Sequence, residues 1–455
     1  MTQLETYISE NEGRFLEELK DWLRIPSIST LPEHAGDVRR AAEFAAEQLR
    51  QIGFHQVQLI ATQGHPLVYG EWLKEPGKPT LLIYGHFDVQ PVDPLELWNT
   101  QPFEPTVDGD NLYCRGASDD KGQTMLVLKA MESLVRVNGK LPLNVRVLLE
   151  GEEEAGGESI EHYVRTYPER LQADAAFICD TGMPSKELPA LVYGLRGIVY
   201  TEVEVRGAKR DLHSGEFGGV APNPLHALAL IIAGLKDAEG HINIPGLFDK
   251  VRQPAEAERS FWQSNPQGIE EVLKTEMGVR EFSGEQEYSA LERVGARPTL
   301  EVHGISGGFV GEGAKTVIPA SGKAKISLRL PPDLKAQEAF ALFEQRVKEL
   351  APSDVEVIVH YIHGGEAVLV DPDSVPMRAA IAALRETYAQ EPILIREGGS
   401  IPIAALFYEL LHTPIVLMGF ALPDDSMHAP NEKYSLTQFR KGLRTVANFL
   451  QKLGA

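Results

Sequence analysis

A chain of 455 residues exceeds what one compact core supports and is expected to form two domains. Its 65 Asp and Glu against 44 Lys and Arg give a formal charge of -21, which repels phosphate backbones and argues against a nucleic-acid partner. With two cysteines, an acidic N-terminus and no apolar run longer than residues 227–235, neither a disulfide framework nor a membrane span is indicated, and the cytoplasm is the expected compartment.

Apolar side chains at helical spacing over residues 4–24 (Leu4, Tyr7, Ile8, Phe15, Leu19, Trp22, Leu23) predict an amphipathic helix that stops at Ile25-Pro26. A second helix is expected over 38–52. Short apolar runs at 67–70 and 80–84 follow, the latter nearly continuous, as in a strand covered on both faces; it ends in Gly85-His86-Phe87-Asp88-Val89. The stretch from Cys114 to Gly122 then sets Asp119 and Asp120 side by side in a glycine-flanked loop, before an apolar helix over 124–137. Two adjacent acids at a buried helix mouth need a cation, and Lys121 could supply one charge. Apolar runs at 144–149 and 175–179, separated by a helix at 158–166, repeat the pattern. The first ends in Glu150-Gly151-Glu152-Glu153-Glu154 and the second in Asp180. Alternating strand and helix implies an α/β layer structure, whose ligands bind at the carboxyl ends of its strands.

From Gly194 the period changes. Val199, Thr201, Val203 and Val205 alternate with Tyr200, Glu202, Glu204 and Arg206, as in a strand with one face in water. A helix capped by Asn223 with Pro224 in its first turn comes next, then a polar, partly helical stretch over 245–297. Strands at 299–302, 324–330 and 355–359 and a helix at 335–350 complete an α+β insert over 196–364. The first pattern resumes with a helix at 377–388, the segment Arg396-Glu397-Gly398-Gly399-Ser400, a helix from near Ile401, and a strand at 414–418 leading to Asp424-Asp425-Ser426-Met427-His428. The expected organisation is a discontinuous α/β domain, 1–195 with 365–455, interrupted by the insert.

The strand ends gather His86, Asp88, Asp119, Asp120, Glu153, Glu154, Asp180 and His428 on one rim. Two imidazoles with several carboxylates and no thiolate suit zinc or manganese. One ion would be over-supplied; two ions about 3.5–4 Å apart, bridged by one carboxylate, use the set and can clamp an attacking water and a substrate oxygen, so hydrolysis is the expected chemistry. Each residue alone has a plainer explanation. His86 could be a hydrogen-bonded core histidine, the Glu run a solvated turn, and the Asp pair a helix cap. Their convergence at buried strand ends favours the metal.

The motifs Gly85-His86-Phe87-Asp88-Val89-Gln90-Pro91, Arg115 to Gly122, Glu150 to Glu154, Asp211-Leu212-His213-Ser214-Gly215 and Arg396 to Pro402 resemble those of the M20 metallopeptidases, most like the branch with carnosinase and the cytosolic nonspecific dipeptidase. The likeness extends through 98–103, 243–251 and 311–319. It implies a mixed-sheet, zinc-peptidase-like catalytic domain with an inserted, ferredoxin-like lid and dimerisation domain. Two divalent ions are implied, zinc first, with manganese or cobalt as the other candidates. Asp119 would bridge them, with His86 and Asp180 on one ion and Glu154 and His428 on the other. Asp88 would orient the His86 ring, and the Asp119-Asp120 peptide would be cis. Glu153 would be the general base; the acidic run also leaves Glu152-Glu153 as a second register for base and ligand. A homodimer is implied, His213 reaching the partner's site to stabilise the oxyanion, with Arg329, Ser400 and Gly399 holding the substrate carboxylate. The expected activity is amide hydrolysis of dipeptides or short peptides; an N-acyl-amino-acid deacylase and a non-catalytic metal-binding relative are the alternatives.

Overall fold

The computed structural model describes residues 2–264, 268–399 and 401–455. They form two compact units, residues 1–193 with 370–395 and 402–455, and residues 194–369 with 396–401.

The first unit is built on a mixed sheet. Its strands lie in the order His55–Ile60, Leu67–Trp72, Asn144–Glu150, Thr80–His86, Ala175–Ile178, Ile415–Leu417, Ala190–Leu195. The four strands from Asn144–Glu150 to Ile415–Leu417 run parallel, and antiparallel pairings flank them on both sides. The parallel centre explains the near-continuous apolar run at 80–84, since such strands are covered on both faces. Tyr84 meets Phe407 edge-on, while Phe177 packs against Phe449 of the helix Leu436–Leu453.

The helix Lys121–Asn138 is buried all round from Lys121 to Leu134, so it is a core element, not an amphipathic surface helix. Lys129, buried in this helix, is neutralised by Glu18 and by Glu132 at 2.8 Å. Helix Gln3–Leu23 starts at a capping box formed by Thr2 and Glu5 and buries Phe15, Leu19, Trp22 and Leu23. Register brings the ends of the central strands level: His86 pairs with Glu150, and Tyr84 with Ile178, two residues before Asp180. The acids and His86 are therefore delivered to one edge by strand length alone.

The second unit is a four-stranded antiparallel sheet in the order Thr299–Gly307, Ser321–Leu330, Gly197–Arg206, Glu356–Gly365. With the helices Pro224–Leu235 and Ala336–Leu350 between strands in the chain, this is the βαββαβ order of a ferredoxin-like fold. The alternation at 199–205 is used as expected: Val199, Val203 and Val205 are buried with Leu228, Ile231, Ile326 and Phe343. Asn223 accepts a hydrogen bond from the Leu225 NH and caps its helix. The stretch 245–297 holds helices Glu256–Gln263, Ile269–Met277 and Ala290–Ala296. Among the described residues no helix is long and apolar enough to cross a membrane.

Candidate metal centre

Asp119 sits at the end of a loop whose shape depends on two close approaches. A Cβ on Gly122 would lie 1.9 Å from the Ala117 carbonyl oxygen, and one on Gly85 would lie 2.2 Å from Thr124 Oγ1, so neither position accepts a side chain. The Asp119-Asp120 peptide is cis. Asp119 faces two imidazoles, Oδ1 3.0 Å from His86 Nε2 and Oδ2 2.9 Å from His428 Nε2. Around it lie two groups whose ligand atoms are all within 4.8 Å of one another: His86, Asp119 and Asp180, and Asp119, Glu154 and His428. Asp180 Oδ2 is 3.8 Å from His86 Nε2, and Glu154 Oε2 is 3.4 Å from His428 Nε2.

Asp88 ties this arrangement together from behind. Its Oδ1 is 3.3 Å from His86 Nδ1, and its carboxylate accepts the backbone NH of Glu153 at 3.3 Å and of Glu154 at 3.1 Å. The acidic run is thereby sorted. Glu152 turns away to accept the NH groups of His65 at 2.6 Å and Ser159 at 3.1 Å, so Glu154, not Glu152, joins the ligand group.

The clustered groups shift one another's ionisation strongly. Burial alone would raise the Asp119 carboxyl, but hydrogen bonds from His428 and His86 outweigh it and hold the group well below the usual carboxylate range. Burial and the Asp119 charge push Asp180 well above that range. Glu153 rises to about 7, chiefly by burial, with Glu154, Asp119 and Asp88 adding against His86. His428 is raised to about 10 by its bonds to Asp119 and Glu154. For His86, burial favours the neutral ring, yet Asp119 and Asp88 raise it well above the ordinary value. Two nitrogens and three carboxylates, crowded together from the buried His86 out to the exposed His428, fit a pair of divalent ions sharing Asp119.

Lys121 does not compensate the Asp pair. Its ammonium donates to the backbone carbonyls of Ile25 at 2.7 Å and Trp22 at 3.2 Å, and burial lowers its pKa to about 7. The neighbouring acid Asp120 instead accepts from the His86 NH at 3.1 Å and from Thr124 Oγ1 at 2.7 Å. The imidazoles carry the compensation.

His213, Arg329 and Gly399 belong to the second unit. His213 Nδ1 accepts the Gly215 NH at 3.0 Å, which leaves Nε2 of the neutral ring to carry the proton. Arg329, half-buried, pairs in register with Thr299 and Ile198. Beside it is Arg196, a residue that the sequence patterns did not single out; burial, with the Arg329 charge adding, pulls its pKa down to about 10. The Gly399 carbonyl accepts the Arg196 NH at 3.1 Å. Ser400 lies outside the described residues. A third acid and histidine group in this unit, His241, Glu285 and Glu287, is committed to ion pairs, since Arg297 holds both Glu285 oxygens at 2.7 Å.

A domain with its acids and histidines at the ends of a mixed sheet, grouped for two cations, joined to a ferredoxin-like unit, defines the metallopeptidase class. Residues 82–452 match the model of peptidase family M20/M25/M40, and the chain belongs to that family. It is 32% identical over 470 residues to the Cys-Gly metallodipeptidase of Schizosaccharomyces pombe, covering 100% of this chain and 98% of that one. Human Beta-Ala-His dipeptidase is 31% identical over 464 residues, covering 98% and 91% of the two chains. Among solved structures, the M20 family metallo-carboxypeptidase Sso-CP2 from Sulfolobus solfataricus superposes with a TM-score of 0.86 at 32% identity, covering 97% of this chain and 99% of the other.

Proposed function

We propose that this chain is a dinuclear-metal dipeptidase that hydrolyses the amide bond of dipeptides or short peptides. The observation that carries it is Asp119, offering one oxygen to each of two histidine and carboxylate groups. His86, Asp119 and Asp180 would hold one ion and Asp119, Glu154 and His428 the other, with zinc the first candidate and manganese or cobalt the alternatives. Such ions, when bound, acidify the attacking water and neutralise charge that develops on the substrate carbonyl.

The protein supplies the rest. Glu153, with a pKa near 7, is suited to take the water's proton and pass it to the leaving amine. Asp88 keeps the His86 ring in one orientation through Nδ1. His213 would donate its Nε2 proton to the developing oxyanion, serving the site of the partner in a homodimer. Dimerisation through the second unit is supported by exposed apolar residues there, among them Val220, Leu230, Ile305 and Val310. Arg329, with Arg196 beside it, would attract the substrate's terminal carboxylate, with Gly399 and Ser400 as further donors. Two unpaired, buried cysteines, Cys114 and Cys179, agree with a cytoplasmic setting.

Relatives named for Cys-Gly and Beta-Ala-His favour dipeptides over acylated amino acids. The test is a panel of dipeptides, with N-acetyl and N-succinyl amino acids beside them, offered to protein stripped of metal and then resupplied with zinc or manganese. Turnover of dipeptides only after metal is returned is expected. Preference for the acylated amino acids would assign a deacylase, and tight metal binding without turnover of any amide would assign a binding protein.

A further inference from the structure

Glu432, four residues after His428, is fully buried, and its carboxylate is shared among four donors. Oε1 accepts the NH groups of Ser118 at 2.9 Å and Asp119 at 3.1 Å; Oε2 accepts the Gly116 NH at 3.0 Å and Arg115 Nη1 at 2.8 Å. Arg115 is itself fixed, donating to the Pro91 carbonyl at 3.0 Å. A buried carboxylate is costly unless every lone pair is used, and here the donors come from the loop that ends at Asp119.

The same residue closes the loop that carries His428. In that loop Ser426, His428 and Asn431 all have left-handed backbone angles, φ 56, 61 and 66. Side chains with a Cβ hold such angles only when their surroundings impose them. Asn431 is clamped by the Asn99 NH at 2.7 Å and the Leu97 carbonyl at 2.8 Å, and Glu432 follows directly. One carboxylate thus joins the backbone of Asp119 to the segment of His428, whose side chains meet at 2.9 Å.

We propose that Glu432 is a positioning residue: by gathering the 116–119 backbone and the Arg115 side chain it sets the separation of Asp119 from His428, and with it the metal affinity of the Asp119, Glu154 and His428 group. The inference rests on the two-ion reading of the site. The group of His86, Asp119 and Asp180 depends on it less, because His86 ends a strand and Asp180 follows one.

The experiment compares full-length, metal-free protein with Glu432→Gln and Glu432→Asp, titrated with Mn2+ while free Mn2+ is followed by electron paramagnetic resonance; thermal unfolding of each metal-free form is recorded alongside. Asp110→Asn is the control, since Asp110 is another structural carboxylate, accepting from the Thr437 NH at 3.0 Å and Ser435 Oγ at 2.7 Å. In both Glu432 variants one of two Mn2+ is expected to bind about 10–100-fold more weakly, the range typical when a partner that orients a ligand is lost. The control should unfold at a lower temperature with its Mn2+ titration unchanged. If Glu432→Gln does not fold, Glu432→Asp, which keeps the charge one methylene short, decides alone. Superimposable titrations for a folded Glu432 variant and the parent, or equal weakening in the control, would overturn the inference and leave the two-ion site standing. A parent that binds fewer than two Mn2+ would overturn the site itself, and is seen before any variant is compared.

Discussion

The carboxylate of Asp88 accepts the backbone NH of Glu154 at 3.1 Å. Because Asp88 also lies 3.3 Å from His86 Nδ1 and accepts the Glu153 NH, it couples the end of one strand to the turn that follows another. Replacing it by Ala should loosen both groups together. Metal affinity is expected to fall about 10–100-fold while the protein stays folded. Isothermal titration with Zn2+ checks this, and unchanged affinity would remove Asp88 from the arrangement.

Glu153 is outside the ligand groups yet half-buried near them. Glu153→Gln should therefore keep its metal while turnover falls by about 100- to 10,000-fold, the usual contribution of a general base. Measuring metal content and kcat on one preparation separates the two effects. A variant with full activity would mean another group takes the proton.

The pH dependence of the metal-free protein follows from the signs of the shifts. His86 and His428 are raised, so their stabilisation is complete below the unfolded value of 6.5 and is lost as pH rises through the folded one, about 10 for His428. Glu153 and Asp180 are raised as well, and lose theirs as pH climbs from the ordinary carboxylate range through about 7 for Glu153. Asp119 has the opposite sign, and its contribution disappears only in acid. Stability of the metal-free form should thus fall between about pH 5 and 9, and added Zn2+ should raise the unfolding temperature more at pH 8 than at pH 6, because ligands shed protons on binding. Thermal melts across that range provide the check; stability that climbs with pH would contradict the shifts.

His213 serving across a dimer predicts complementation. His213→Ala alone should lower kcat by about 100- to 1,000-fold. Mixed with Glu153→Gln under conditions that exchange subunits, it should recover about a quarter of parental activity, since half the dimers are mixed and each has one intact site. No recovery in a demonstrably exchanging mixture would make His213 act within its own chain or not at all.

Arg329→Met should raise KM for a dipeptide with a free carboxylate at least tenfold and leave the corresponding C-terminal amide nearly unaffected, as loss of a charge-assisted contact requires. Equal effects on both substrates would assign Arg329 to the fold.

The rim was legible in the sequence because buried parallel strands are short, apolar and end in residues that have nothing apolar to offer: His86, Glu150 and Asp180 stand out against their strands. The alternation at 199–205 likewise marked the half-exposed sheet. Choosing among Glu152, Glu153 and Glu154 was beyond a pattern, since the decision lies with the His65 and Ser159 NH groups that draw Glu152 away. Proximity in sequence misled at Lys121, whose helix points its ammonium at carbonyls of residues 22 and 25 and not at its acidic neighbours. Glu432 left no local signal. Three of its four partners are backbone NH groups more than 300 residues earlier, and backbone donors have no letter in the sequence; the fourth, Arg115, is equally remote.

The most direct measurement is anomalous diffraction from crystals grown with Zn2+, with data collected on both sides of the zinc absorption edge. Two peaks about 3.5–4 Å apart are expected, one against His86 and Asp180 and one against Glu154 and His428, with Asp119 between them. A single peak, or zinc bound only elsewhere, such as at His241, would contradict the two-ion centre.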